Sequence, residues 1–267
     1  MELAGRKALL TGATGGLGRA IAEALAARGA TVLLSSRKAE ELSQLAEQLP
    51  GDGHRALAVD LAEPGAAEKL AAEAGPVDAL VANAGLPGAG RMEDFSPDEV
   101  QRALRVNLEA PMLLAQALYP AMLAQGSGHL VFVASLAGKS PAPRSSIYNA
   151  TTFGLRGFAL ALRTDLAPQG VGVSLVSPGF IREAGMFADS GAKSPPGLGT
   201  ATPEEVAKAT VRAIEGDKVE IAVAPTRQRF LAHFGLASPS IAVRVSSGSA
   251  GQKSAAEIAD GHSKDKR

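Results

Sequence analysis

Short apolar runs alternate along this chain with longer segments whose apolar residues recur every three to four positions. Lys7 to Thr11 reads as a buried strand. Leu17 to Arg28 follows with helical spacing, placing Ile21, Leu25 and several alanines on one face. Thr31 to Leu34 is the next strand, and Lys38 to Leu49 a helix closed by Pro50-Gly51. Strands are expected at Arg55 to Val59 and Val77 to Val81, with an Ala-rich helix between them. Asp98 to Gln125 reads as one long helix, started by Ser96-Pro97. His129 to Ala134, Val171 to Val176 and Val219 to Val223 complete the strands, separated by helices over Ile147 to Ala167 and Pro203 to Glu215. Strands alternating with helices imply parallel βαβ units. Strands apolar on both faces fit a sheet covered on both sides. The expected architecture is α/β: a doubly wound sheet of seven parallel strands, which binds ligands beyond the carboxyl ends of its strands.

Residues 1–245 read as a single domain. Residues 246–267 are rich in Ser, Gly, Lys and Asp and read as a polar, flexible tail. Ala184 to Thr200, rich in Gly, Ser and Pro, is expected to be a long loop over a substrate. Phe230 to Leu236 is an apolar patch with three open placements: on the core, over the substrate, or against another subunit. The composition, 46% hydrophobic and 20% charged, is that of an ordinary globular protein. With charge balanced at 27 basic and 27 acidic residues, nothing points to a broad nucleic-acid footprint. The absence of cysteine excludes disulfides, thiol nucleophiles and thiolate metal sites. His54, His129, His233 and His262 lack ligand spacing, so no metal is expected. Met1 to Lys7 lacks a signal-peptide layout, and no apolar run reaches the roughly 18 residues of a membrane span, so the expected compartment is the cytoplasm.

The first strand ends in Thr11-Gly12-Ala13-Thr14-Gly15-Gly16-Leu17-Gly18, and a helix begins at once. Such a turn lets the backbone approach a pyrophosphate, while the helix N-terminus offers free N–H groups and a positive dipole end. From here the sequence resembles the short-chain dehydrogenase/reductase family. Thr11, Gly12, Gly16 and Gly18 match its glycine motif. Asn83-Ala84-Gly85 ends the fourth strand, and Asp60-Leu61 follows the third, where the family contacts adenine. Asn107 stands at the family's relay asparagine, and Ser135 and Tyr148 at its serine and tyrosine. Pro178-Gly179 ends the sixth strand. The resemblance spans roughly residues 5 to 225 and implies a Rossmann-type fold and a nicotinamide cofactor. The implied cofactor-binding residues are Gly12, Thr14, Gly16, Leu17, Gly18, Ser36, Arg37, Asp60, Leu61, Asn83, Ala84, Gly85, Tyr148, Pro178, Gly179 and Ile181. Glu183 stands where the family often has threonine.

The second strand runs into Ser35-Ser36-Arg37-Lys38 without a carboxylate for a ribose 2′-hydroxyl. Arg37 offers a charged fork for a 2′-phosphate, and Ser36 a hydroxyl. Cations at a helix start are electrostatically unfavourable, which a phosphate partner would explain. NADP is therefore expected over NAD.

Carbonyl reduction needs a hydride, stabilisation of the developing oxyanion, and a proton. The resemblance implies that Ser135 bonds the substrate oxygen and Tyr148 moves the proton. A free tyrosine titrates near pH 10, and a nearby cation lowers that value. In the family the cation is a lysine four residues on, one helical turn along the same face. Here that position holds Thr152. Arg156, another turn on, and Lys139, in the loop after Ser135, are the remaining local cations. The expected catalytic set is Ser135, Tyr148, Asn107 and Thr152. The expected reaction is hydride transfer between NADP(H) and a small or apolar carbonyl or alcohol, slowed by Thr152. The other reading is a silent nucleotide-binding or scaffold protein. The resemblance also implies that the helices over 98–125 and 147–167 join copies into a homo-oligomer, a dimer or tetramer.

Overall fold

Each strand carries two alternating sets of apolar side chains, and the sheet sends them to opposite faces. In the computed structural model, which describes residues 1–261 apart from the side chain of Ala250, Leu9 of β1 (Lys7–Thr11) joins one core. Its neighbours Ala8 and Leu10 join the other. The remaining strands are β2 (Thr31–Ser36), β3 (Arg55–Ala58), β4 (Ala79–Ala82), β5 (Gly128–Val133), β6 (Val171–Pro178) and β7 (Glu220–Val223). All seven are parallel, in the order β3-β2-β1-β4-β5-β6-β7. The doubly wound parallel sheet expected from the hydrophobic pattern, and the Rossmann-type fold implied by the resemblance, are observed. The order reverses between β1 and β4, where Ala8 lies beside Ala79, so a crevice opens beyond their carboxyl ends.

Helices α1 (Gly16–Ala26), α2 (Ala39–Gln48) and a later helix α8 (Pro203–Glu215) cover one face, burying Ile21, Leu25, Leu42, Val206 and Ile214. Helices α3 (Ala66–Ala74), α5 (Ala110–Gln125) and α6 (Ser146–Leu166) cover the other through Leu70, Leu114, Leu118 and Leu155.

The single helix expected over 98–125 is interrupted. Helix α4 (Pro97–Leu104), capped by reciprocal bonds between Ser96 and Glu99, runs into a π-turn at Arg105–Glu109 before α5 begins. Periodicity does not reveal this inserted residue. Its cause is tertiary: the turn delivers Asn107 to the backbone of Leu86.

After β6 the loop contains the short helix α7 (Met186–Asp189) and returns through a bridge between Ile181 and Ala201. Beyond β7 the chain forms α9 (Thr226–Ala237), α10 (Pro239–Ser246) and α11 (Ser249–Asp260). Residues 249–260, expected within an irregular tail, are thus helical. The polar composition hides Ala255, Ile258 and Ala259, which face inward. The last part of that tail, 262–267 with His262, lies outside the described residues. No helix among the described residues is long and apolar enough to cross a membrane.

Candidate active site

The glycine turn is shaped by close backbone contact. Gly12 has φ of +66°, and a β-carbon there would stand 2.9 Å from Cα of Ala84. A β-carbon at Gly18 would collide with the carbonyl of Gly12. Thr11 latches the turn to β4: its hydroxyl accepts from the N–H groups of Asn83 and Ala84, each at 3.0 Å. Asn83 returns its amide to the carbonyls of Thr11 and Gly12, at 3.1 and 3.3 Å. Gly15 stands at the N-cap of helix α1, and no side chain caps it. Its first N–H groups therefore point into the crevice, as an anionic diphosphate requires. The chemistry of this cradle fits a dinucleotide.

The second-strand end is more specific than the sequence implied. The Ser36 hydroxyl accepts from Thr14 at 3.0 Å and from the Lys38 N–H at 3.2 Å. Lys38 does not need a phosphate to explain its charge. It pairs with Glu41 at 2.7 Å, and Glu41 also meets Arg19 at 3.0 Å. The Lys38 ammonium, followed by Arg19, holds the Glu41 carboxyl below its usual range. Arg37 is half-exposed, with one loose partner, Asp60, at 3.9 Å. Of the two cations at this helix start, Arg37 is the one without a close carboxylate. Asp60 caps its own turn by accepting from Ala62 N–H at 2.9 Å. Leu61 packs into the core, and its side chain does not line the crevice.

A cavity of about 460 Å³ runs from Leu17 on α1 past Asn83, Ala84 and Gly85 to Ser135, Tyr148 and Thr152. Asn107, Pro178, Gly179 and Ile181 also border it. Ser135 closes β5 and begins a short turn by accepting from Ala137 N–H at 3.1 Å. Its proton points to the Pro178 carbonyl at 3.4 Å, a weak bond that a better acceptor would replace. The Ser135 hydroxyl lies within reach of the Tyr148 hydroxyl. Asn107 is buried and bonds to both backbone groups of Leu86, at 2.7 and 3.0 Å, and to Thr151 at 3.4 Å. Its amide positions the loop after β4; that loop packs on Tyr148 at Gly88, where a β-carbon would stand 2.9 Å from the Tyr148 nitrogen.

Burial pushes the Tyr148 hydroxyl above the ordinary tyrosine value, and among the described residues only the bond with Ser135 acts against it. The residue at the family's lysine position adds no charge. Thr152 spends its hydroxyl proton on the helix, donating to the Tyr148 carbonyl at 2.8 Å and the Asn149 carbonyl at 3.3 Å. Its lone pairs remain available to an incoming hydroxyl. Neither remaining cation substitutes. Lys139, which from sequence could be solvated, is 1% exposed and pairs with Glu220 at 3.0 Å. Arg156 turns to the same carboxylate at 3.2 Å. Burial raises the Glu220 carboxyl, but the bonds from Lys139 and Arg156 outweigh it and hold the group ionised.

Two positioning side chains escape a motif search. Asn149 donates to the carbonyls of Ala137 and Ser140, at 2.5 and 3.0 Å, and accepts from Ala142 at 3.2 Å, so it shapes the loop after Ser135. Gln228 on α9 is buried. It donates to the carbonyls of Gly199 and Leu198, at 2.7 and 3.2 Å, and accepts from Phe180 N–H at 3.2 Å. It fastens the loop over 184–200 to α9, and Leu198 of that loop borders the cavity. Gln228 stands between Arg227 and Arg229 in a polar stretch, so no sequence signal marked it for burial. Glu183 sits at φ of +74° and turns outward to Arg182 at 2.8 Å. Leu231 and Ala232 of α9 and Ile258 of α11 also border the cavity, so part of the apolar patch lies against it.

The order of these motifs around one cavity matches a known family. The model of that family, described as short chain dehydrogenase, matches residues 6–195. The chain belongs to the short-chain dehydrogenase/reductase family. This short-chain oxidoreductase is 38% identical over 227 residues to the ketoacyl reductase HetN of Nostoc sp., covering 83% of this chain and 79% of that protein. Among solved structures it is similar to a metagenomic short-chain oxidoreductase in complex with NADP, at 33% identity and a TM-score of 0.71. The match covers 85% of this chain and 100% of that one. It is also similar to a 3-ketoacyl-(acyl-carrier-protein) reductase from Brucella melitensis complexed with NADH, at 28% identity and a TM-score of 0.75. There the match covers 85% and 99%.

Proposed function

We propose that this short-chain oxidoreductase interconverts an apolar ketone and its alcohol with NADP(H), at a rate held down by Thr152. The observation that carries the reading is the meeting of the Ser135 and Tyr148 hydroxyls in a cavity continuous with the glycine turn, with no cation beside the tyrosine among the described residues. Gly12, Gly16 and Gly18 would hold the diphosphate with the α1 N–H groups, and Arg37 with Ser36 and Thr14 the 2′-phosphate. Asn83, Ala84, Gly85, Pro178, Gly179 and Ile181 would frame the nicotinamide half. The cofactor, when bound, supplies or accepts the hydride. Ser135 donates to the carbonyl oxygen, and Tyr148 gives that oxygen its phenolic proton in reduction. Leu17, Met186, Leu198 and Leu231 favour an apolar substrate and exclude water.

The tyrosinate left by reduction is unshielded, because burial opposes its charge and Thr152 offers none to balance it. Oxidation, which starts from tyrosinate, is affected more. The same feature supports a second reading, a nucleotide-binding protein that does not turn over. A panel of ketones and alcohols, run with this chain and with Thr152→Lys, tests both. Turnover in either direction by the native chain supports the enzyme; binding of NADPH without turnover, even after lysine is restored, supports the silent protein. Met112 on α5 and Phe153 on α6 remain exposed, so this face is the proposed homo-oligomer contact, in a dimer or tetramer.

A further inference from the structure

Between Ile221 and Ala256 the sequence has no carboxylate and four cations: Arg227, Arg229, Arg244 and Lys253. The whole chain is neutral, so the rest of the molecule is acidic by the same amount. All four cations are exposed, and none forms an ion pair among the described residues. The same segment gathers exposed apolar bulk. Among the described residues, seven of the twelve large apolar side chains that stand exposed lie between 230 and 245. Phe230 is 67% exposed, Ile241 50% and Val245 68%. Phe230 stacks on Phe234 with ring centres 6.4 Å apart, and both remain exposed. Only Gln228, Ala232 and Gly235 of α9, and Ala242 of α10, are buried.

Single exposed apolar residues need no explanation, but a contiguous set interleaved with unpaired cations does. We propose that α9 and α10 form a docking surface for an anionic lipid membrane. Bulky apolar side chains beside Arg and Lys are the composition of segments that lie in the headgroup region. There apolar groups enter the acyl boundary, and the cations meet lipid phosphates. A second copy of the chain fits this face less well. A two-fold contact must be self-complementary, and an acid-free patch would set arginines against arginines. The exposed Met112 and Phe153 give the second copy a separate face. The position of the patch has a consequence for the cavity. Leu231 is exposed on α9 and also borders the cavity, so the docking face adjoins the cavity wall. The docking surface itself does not rest on the catalytic reading.

The test is co-sedimentation of the full chain with vesicles of phosphatidylcholine alone, or with roughly one third phosphatidylglycerol. The expected result is binding to the anionic vesicles only, weakened by salt. Phe230→Ser with Val245→Ser, and separately Arg229→Glu with Arg244→Glu, should each lower binding at least about tenfold. Thermal unfolding monitors the fold of each pair, and Arg244→Gln alone, a mild surface change, should still weaken binding measurably. No binding of the native chain to anionic vesicles overturns the proposal. So does binding that folded variants leave unchanged. A shift in oligomeric state on Phe230→Ser with Val245→Ser, by sedimentation velocity without vesicles, also overturns it and gives the face to a second copy.

Discussion

Replacing Thr152 with lysine inserts one charge where the structure has a tyrosine opposed by burial and helped, among the described residues, only by Ser135. Thr152 is 5% exposed and borders the cavity, one helical turn from Tyr148. A lysine there can extend along the helix face into the cavity. An ammonium about 5 Å from the phenolate oxygen, at an effective dielectric of about 20, stabilises the tyrosinate by roughly 3 kcal/mol. At about 1.4 kcal/mol per tenfold, that is on the order of a hundredfold in tyrosinate population. Desolvating the new ammonium takes part of this back. The expected gain is therefore at least about tenfold in the reduction rate at neutral pH, and more in oxidation. The assay follows NADPH consumption with a ketone, and NADP reduction with its alcohol, from roughly pH 6 to 10. The pH dependence of oxidation should move to lower pH. Thr152→Met, of similar length and no charge, should show no gain, and Tyr148→Phe should abolish it. Unchanged rates together with an unchanged pH profile would refute the reasoning, because the charge would then be irrelevant to the proton transfer.

Four further outcomes follow from named contacts. Arg37→Ala should weaken NADPH binding at least about tenfold and leave NADH nearly unchanged, measured by fluorescence titration; equal losses for both would remove Arg37 from the 2′-phosphate site. Burial pushes His129 down to about 4, since its ring is enclosed against Ser174 at 2.8 Å. The native state therefore binds fewer protons than the unfolded state, so stability present above pH 6.5 falls as pH drops towards 4, by roughly 3 kcal/mol. Urea unfolding between these pH values should show that slope, and His129→Gln should flatten it. Glu220→Ala strands the buried Lys139 and should cost about 3 to 5 kcal/mol; a loss under 1 kcal/mol would mean water reaches the lysine. Gln228→Leu frees the 184–200 loop and should raise KM for the substrate several-fold without changing NADPH affinity, with equal effects on both counting against a lid role.

The motifs legible in one dimension are those whose geometry is local or near-local. Alternating strands and helices specified a parallel sheet, because an apolar run buried on both faces can occupy only the middle layer. Gly12 and Gly18 announced the turn because a β-carbon collides there. The family resemblance put Ser135, Tyr148 and Thr152 forward as one candidate site, and Tyr148 and Thr152, four apart on a helix, share a face. The directions of long side chains were not legible. Lys139 and Arg156 lie close to Tyr148 in sequence, yet both turn to Glu220, a carboxylate brought there by β7 from over sixty residues away. The π-turn that aims Asn107 was also hidden, since its partner Leu86 is distant in the chain. So was α11, whose polar composition masked the few small and apolar residues it turns to the cavity. Backbone period and sterics are written locally, and the sequence alone determined them. The pairing of charges and the walls of a cavity depend on which distant elements meet, and only the tertiary structure decided that.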